Sequence, residues 1–381
     1  MATVYLHIGS QKTGTSAIQQ FLLMNEEKLH QEGIAFPSFS IPYDSKYRHR
    51  RNAHFLVYHS HLREEEARRR EERQYYEKGF EELRALADRY PKIVLTDEAI
   101  WYRQDEKEGF WQDVTERMHK AGHELKVIVF LRRQDLFVQS LWNQSVKNLP
   151  RTTKTFDAYK DFPGIAHHNF DYYQKLCEIA QFVGKENMIV RAYEKDAIMS
   201  SPDGIFSVFT ECIGCRIDDQ YQRPERAVNT DLTGNFLLIK RIMNEETSYR
   251  QMPDIFSTPM ARLCAGKKMP KVSYFASTKE QLAYLQRFET SNRKVAEEFL
   301  GRQDGILFRE PVVETEHWEI DRENMERDII LTMTALLTAQ EQKIEALESR
   351  IRKLEKKTSG SLKEKIKRKI GKYMFWRKRH A

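Results

Sequence analysis

TVYLHIGSQKTGTSAIQ, residues 3–19, passes from an apolar, β-branched run through a glycine-flanked turn into a segment with helical spacing. A short run that is apolar at nearly every position suits a strand covered on both faces. Gly9 and Gly14 bracket the turn, which lets successive backbone N–H groups converge. The helix expected from about Thr15 adds unpaired N–H donors and the positive end of its dipole. Lys12 supplies a compact charge, Thr13, Thr15 and Ser16 supply hydroxyls, and Gln11 and Gly14 complete the loop. An ordinary strand-to-helix turn needs neither the lysine nor three hydroxyls. The stretch is therefore a candidate site for a phosphate or sulfate group.

Working outward, the same strand type recurs as KIVLT (residues 92–96), KVIVFL (126–131) and NMIVR (187–191). Helical patterns lie between these runs, in SAIQQFLLMNEEKL, in the charged stretch from His61 to Tyr90, and in DLFVQSLWNQSVK. Alternation of this kind predicts an α/β fold, a three-layer, P-loop-like parallel sheet flanked by helices, with a C-terminal helical or coiled-coil extension. The run EEEARRREER at residues 64–73 alternates sign at three- and four-residue spacing, as a solvated helix face does.

A second candidate anion receptor follows KVIVFL. Arg132 and Arg133 stand at its C-terminal end, where open α/β sheets place their ligands, and Ser140 lies about two helical turns further on. An arginine fork with a serine hydroxyl suits a second phosphate. Two arginines at a strand end also serve as a salt-bridged helix cap, and spacing does not separate the two roles.

The loop differs from a Walker A motif, in which lysine follows the last glycine; here Lys12 precedes Gly14 by two residues. Its K-T-G-T element resembles the phosphosulfate-binding loop of the P-loop sulfotransferase superfamily, and is most similar to the bacterial carbohydrate-type branch. The resemblance extends through GIAFP at residues 33–37 and covers, with decreasing clarity, residues 1 to about 300. It implies 3′-phosphoadenosine 5′-phosphosulfate as sulfuryl donor, no metal, and a hydroxyl acceptor on a saccharide or glycolipid. Arg132 and Ser140 match the family pair that holds the 3′-phosphate, although Gln134 stands where a proline is common. Tyr193, in Val190–Glu194, is similar to a tyrosine near the adenine. The glycine-rich R-K-G segment of the small-molecule branch is not found. Lys12 would neutralise charge on the leaving phosphate, and the acceptor hydroxyl needs a base. Glu98 is the first candidate because a strand end aims it at the crevice; His54 is the second and Asp97 a fallback. Asn143, Gln144 and Lys147 share a helix with Ser140 and are candidates for touching donor or acceptor.

Composition bounds the rest. Residues 355–381 hold 11 Lys or Arg against two Glu, so residues 1–354 are left at −2 of the total +7. That distribution argues against nucleic acid binding by the whole surface. No apolar run approaches the roughly 18–20 residues of a membrane span. Four cysteines, including the lone C-x-x-C of Cys212 and Cys215, complete no zinc pattern. A cytoplasmic protein is expected, peripheral at the inner face of the membrane if its tail binds lipid. Three segments are expected: a sulfotransferase-like domain over 1–310, an amphipathic helix or short coiled coil over 311–357, and a basic tail over 358–381 opened by a flexible TSGS. The tail interleaves Lys and Arg with Ile366, Ile370, Met374, Phe375 and Trp376, which suits an anionic membrane surface. The heptad positions from Ile330 to Leu354 would permit a homodimer. The cluster Lys46, Arg48, Arg50 and Arg51 reads as an exposed charged loop. Two other functions stay open: a P-loop kinase or NTPase using ATP and Mg²⁺ through Asp97, and a non-catalytic, membrane-associated assembly protein.

Overall fold

A computed structural model describes residues 2–42, 50–148, 151–168, 170–224, 232–246, 257–264 and 272–379, with side chains of the last helix described as far as Glu355. Five parallel strands form one sheet: β1 (Ala2–His7), β2 (Ile34–Ala35), β3 (Lys92–Thr96), β4 (His123–Arg132) and β5 (Met188–Tyr193). Their order is β2-β3-β1-β4-β5. β1 is central, with His7 level with Thr96 of β3 on one side and with Ile128 of β4 on the other. The chain leaves β1 toward the β2 edge and later crosses to the β4 side. That reversal opens a crevice beyond the carboxyl ends of β1, β3 and β4.

Period-two alternation sorts the strand residues into two cores, which is why the strands read as unbroken apolar runs. Val4, Leu6, Leu95, Val127 and Val129 join Leu83, Val114, Met118, Leu176 and Ile179 from the helices on one face. Tyr5, Val94, Ile128 and Phe130 join Ile18, Phe21, Leu22 and Phe209 on the other. Each fully buried aliphatic or aromatic side chain contributes about 1.5–3 kcal/mol. The α/β class expected from the pattern is thus observed as helix, sheet and helix layers.

The helix Glu65–Leu86 keeps its Arg69–Glu65 and Arg70–Glu66 pairs on the solvent side and buries Phe80 and Leu83. Gly79 of this helix lies against the ring of Phe55; a Cβ there would come within 2.3 Å of Phe55 Cδ2. That close approach seats the 3₁₀ segment Asn52–Val57.

The division of the chain differs from the expected one. One compact unit comprises residues 1–145, 152–229 and 270–318; a second comprises 146–151, 230–269 and 319–381. Within the second, helices Gly234–Met243 and Ser257–Cys264 pack on the start of the helix Met325–Arg379. Lys240, fully buried there, donates to Asn244 Oδ1 at 2.9 Å and to the Val146 carbonyl at 3.2 Å. Asn235 donates to Asp328 at 3.1 Å. Polar partners distant in sequence assemble this unit, so no local pattern announces it. The helix also runs through residues 358–361 without the expected break. Glycine in a helix costs only about 1 kcal/mol, and no proline is present to stop the ladder. Among the described residues no helix is long and apolar enough to cross a membrane.

Candidate functional site

The loop between β1 and the helix Thr15–Met24 hangs from the carboxyl edge of the sheet. Ser10 donates from both N–H and Oγ to the Phe130 carbonyl, at 2.8 and 3.0 Å, and Phe130 N–H returns a bond to Gly9 at 2.7 Å. Thr13 Oγ1 is committed inside the loop, donating to the Ser10 carbonyl at 2.5 Å. Lys12 (φ 65°) and Gly14 (φ 82°) both occupy the left-handed region. Glycine does so freely, whereas for lysine it costs about 1–2 kcal/mol, so surrounding contacts must hold Lys12 there. The helix begins with no side-chain cap and no acidic residue in its first turn. Thr15 is buried with its hydroxyl beside Glu98; Ser16 is exposed and Gln11 buried.

Arg132 is one of those contacts. At the end of β4, its Nη1 donates to the Lys12 carbonyl at 2.8 Å. Tyr193, level with Arg132 across the β4–β5 pairing, brings its ring to 3.7 Å from where a Cβ on Gly14 would stand. Burial raises the Tyr193 pKa above its ordinary value, with the Arg132 charge acting against it. Arg133 takes the helix-cap role instead: it pairs with Asp135 at 2.8 and 3.0 Å and donates to the Glu310 carbonyl. Glu194 accepts from the N–H groups of Arg309 and Glu310. Together they strap that segment to the sheet. Ser140, half-buried in the helix Gln134–Lys147, is joined by no hydrogen bond to Arg132 or to the loop. Asn143 and Lys147 are buried along the same helix.

The third wall follows β3. Glu98 packs its Cα and Cβ at 3.5 Å from the position a Cβ on Gly9 would take. Burial raises its pKa above the ordinary value; Arg51 opposes this, Asp97 adds to it, and Lys12 opposes it. The charge of Lys12 therefore reaches Glu98. Asp97 is fully buried and takes Nε and Nη2 of Arg51 on Oδ1, at 3.1 and 2.5 Å, and the Ala99 N–H at 2.8 Å. Its Oδ2 faces His54 Nδ1 at 3.4 Å. Burial works to raise the Asp97 pKa, but Arg51 and His54 outweigh it and hold the carboxyl below its usual range.

Arg51 and Asn52 are the site residues that local reading missed. Of the basic cluster, Lys46 and Arg48 lie outside the described residues, and Arg50 pairs with Glu26 at 2.9 Å. Arg51 turns inward to Asp97 instead of standing in an exposed loop. Asn52 explains how. β2 spans only two residues, leaving the edge of β3 without a strand partner beyond Ile93. The Asn52 amide donates to the Val94 carbonyl at 2.8 Å and accepts the Thr96 N–H at 2.8 Å, completing the edge as a strand would. Under the loop, His7 is fully buried with Nδ1 at 3.0 Å from Thr96 Oγ1, which also takes Gln19 Nε2 at 3.2 Å. Burial lowers the His7 pKa to about 3, so the ring is neutral.

Cys212 and Cys215 are buried free thiols; burial pushes both up to about 11, and Cys215 lies 3.1 Å from the Tyr221 hydroxyl. They are packing groups at a helix end.

No family model matches the chain. It is 27% identical over 209 residues to an uncharacterized protein of Archaeoglobus fulgidus, covering 54% of each chain, so it spans about half the length of that curated relative. Among solved structures, it is similar to a chain from a study of the PezAT chromosomal toxin-antitoxin system of Streptococcus pneumoniae. That likeness has 16% identity and a TM-score of 0.27, covering 55% of this chain and 78% of the other.

Proposed function

We propose that the crevice binds 3′-phosphoadenosine 5′-phosphosulfate and passes its sulfuryl group to an acceptor hydroxyl, on a saccharide or glycolipid. The observation that carries this reading is the convergence of Lys12, Arg132, Tyr193 and Glu98 on one loop, with an uncapped helix end between them. The buried Thr15 hydroxyl stands beside Glu98 at that helix end, within the same crevice. On this reading Lys12 and the loop N–H groups stabilise negative charge on the departing phosphate as its bond to sulfur breaks. The acceptor oxygen forms the new bond to sulfur, and its proton passes to the Glu98 carboxylate. Its raised pKa makes Glu98 a better base than an ordinary exposed glutamate. Asp97, held by Arg51, orients His54; that pair is the second candidate base. Positioning and charge stabilisation are the main requirements for such a transfer.

The kinase or NTPase reading gives Asp97 the metal-holding role. Asp97 already serves Arg51 and faces His54, which favours the sulfuryl donor. Thermal-shift measurements separate the two. Stabilisation by 3′,5′-adenosine diphosphate without metal is expected; stabilisation only by ATP with Mg²⁺ would replace the proposal. Transfer of labelled sulfate from the donor to fractionated cell-envelope glycans then tests the chemistry, with Lys12→Ala as control.

A further inference from the structure

The helix Met325–Arg379 uses one face inside its own unit and leaves another uncovered. Asp328 and Thr332 are buried, at 8% and 1% exposure, and Ala335, Leu336 and Ala339 are half-buried. On a different face Ile330, Met333 and Leu337 stand 58–64% exposed, and Ile344, Leu347 and Ile351 continue the stripe in the open. An amphipathic helix that simply docked on its neighbours would bury these residues, not display them.

Their spacing is a strict alternation of three and four from Ile330 through Met333, Leu337, Gln340, Ile344 and Leu347 to Ile351 and Leu354. A sustained repeat of 3.5 residues is the seam of a left-handed supercoil, whereas a globular docking face follows 3.6. On the face already in use Asp328 and Ala335 fall on heptad position f, Thr332 and Ala339 on c and Leu336 on g, whereas the exposed stripe falls on a and d. Isoleucine holds three of four a positions (Ile330, Ile344 and Ile351), and leucine holds d at Leu347 and Leu354. β-Branched residues at a with leucine at d favour two strands. Gln340 puts one polar group at d, in the middle of the stripe.

Charges flanking the seam select orientation. Lys343 and Arg350 occupy g positions, and Glu348 and Glu355 the e positions five residues later. In a parallel pair every such g residue meets an e residue of opposite sign on the other helix. In an antiparallel pair g meets g and e meets e, setting lysine and arginine together and glutamate against glutamate. Glu348 also accepts from Arg352 along its own helix at 3.2 Å, an exposed bond that the interhelical pair can share.

We propose that this stripe is the interface for a second copy of the same chain, joined as a parallel, in-register, two-stranded coiled coil over residues 330–354. The proposal is independent of the chemistry assigned to the crevice. Parallel pairing also brings both copies of the basic segment 355–381 to the same end.

Sedimentation equilibrium of the full chain at micromolar concentration tests it. A particle of twice the 45.3 kDa chain mass is expected, falling to a single chain for Ile344→Lys/Ile351→Lys with unchanged far-ultraviolet circular dichroism. These side chains are exposed, so their replacement does not disturb the folded units. Orientation is read from Met333→Cys under mild oxidation, with the unmodified chain as control. A disulfide-linked dimer is expected, because only in-register parallel helices bring the two introduced thiols together. A single-chain mass or a trimer for the unmodified protein overturns the proposal; a dimer in which Met333→Cys fails to cross-link overturns its parallel form.

Discussion

Arg132 Nη1 donates to the carbonyl oxygen of Lys12 at 2.8 Å, across 120 residues of chain. The bond ties the end of β4 to the left-handed residue of the anion loop. Arg132 thus shapes the loop as well as charging it. Arg132→Lys keeps the charge but cannot reproduce the planar fork. It is expected to weaken 3′,5′-adenosine diphosphate about 10–100-fold, since a charged hydrogen bond is worth about 1.5–3 kcal/mol. Titration calorimetry checks this; unaltered affinity would remove Arg132 from the donor site.

Lys12 separates stability from chemistry. Lys12→Gly relieves the left-handed backbone, and should raise stability by about 1 kcal/mol in urea unfolding while abolishing turnover. Lys12→Ala should abolish turnover without that gain. If Lys12→Gly retained full turnover, the amine would have no part in the reaction.

Glu98→Gln couples the same two quantities with opposite signs. Because the folded-state pKa of Glu98 is raised, ionising it costs folded-state stability as pH rises above its unfolded value. The glutamine variant is therefore expected to melt higher than the parent at neutral pH. Its turnover should fall about 10²–10⁴-fold, the range for losing a general base. A larger loss in His54→Gln than in Glu98→Gln would transfer the base role to the His54–Asp97 pair.

His7 should dominate the acid limb of stability. Its folded pKa of about 3 lies below the unfolded value of 6.5, so the unfolded chain binds more protons between them. Its contribution is complete above pH 6.5 and declines as pH falls toward about 3, by up to about 1.4 kcal/mol per unit. Urea midpoints measured from pH 7 to pH 5 should fall less steeply for His7→Gln than for the parent.

Asn52→Ala leaves the Val94 carbonyl and Thr96 N–H without their partner. A loss of about 2–6 kcal/mol is expected, as each of the two buried groups left unpaired costs about 1–3 kcal/mol. Asn52→Asp should restore only the bond to the Thr96 N–H. Equal stability of all three chains would show that the edge does not need the amide.

Four of the five strands, the glycine-bracketed loop and the helix after it were legible because each is written locally. A two-residue period and near-continuous apolarity mark the strands, and residues 9–16 carry the loop within one turn of chain. The heptad stripe from Ile330 to Leu354 is local too, so its spacing was readable even though its partner was not. Tertiary structure alone decided where the charges point. Arg51 reaches Asp97 across 46 residues, and Arg133 is taken by Asp135 and Glu310. It also drew residues 146–151 and 230–269 into the unit of the last helix. The physical reason is common to these cases. Backbone patterning is set by neighbours within a few residues, whereas an ion or a hydrogen-bonding side chain takes whichever complementary group the completed fold brings within about 3 Å.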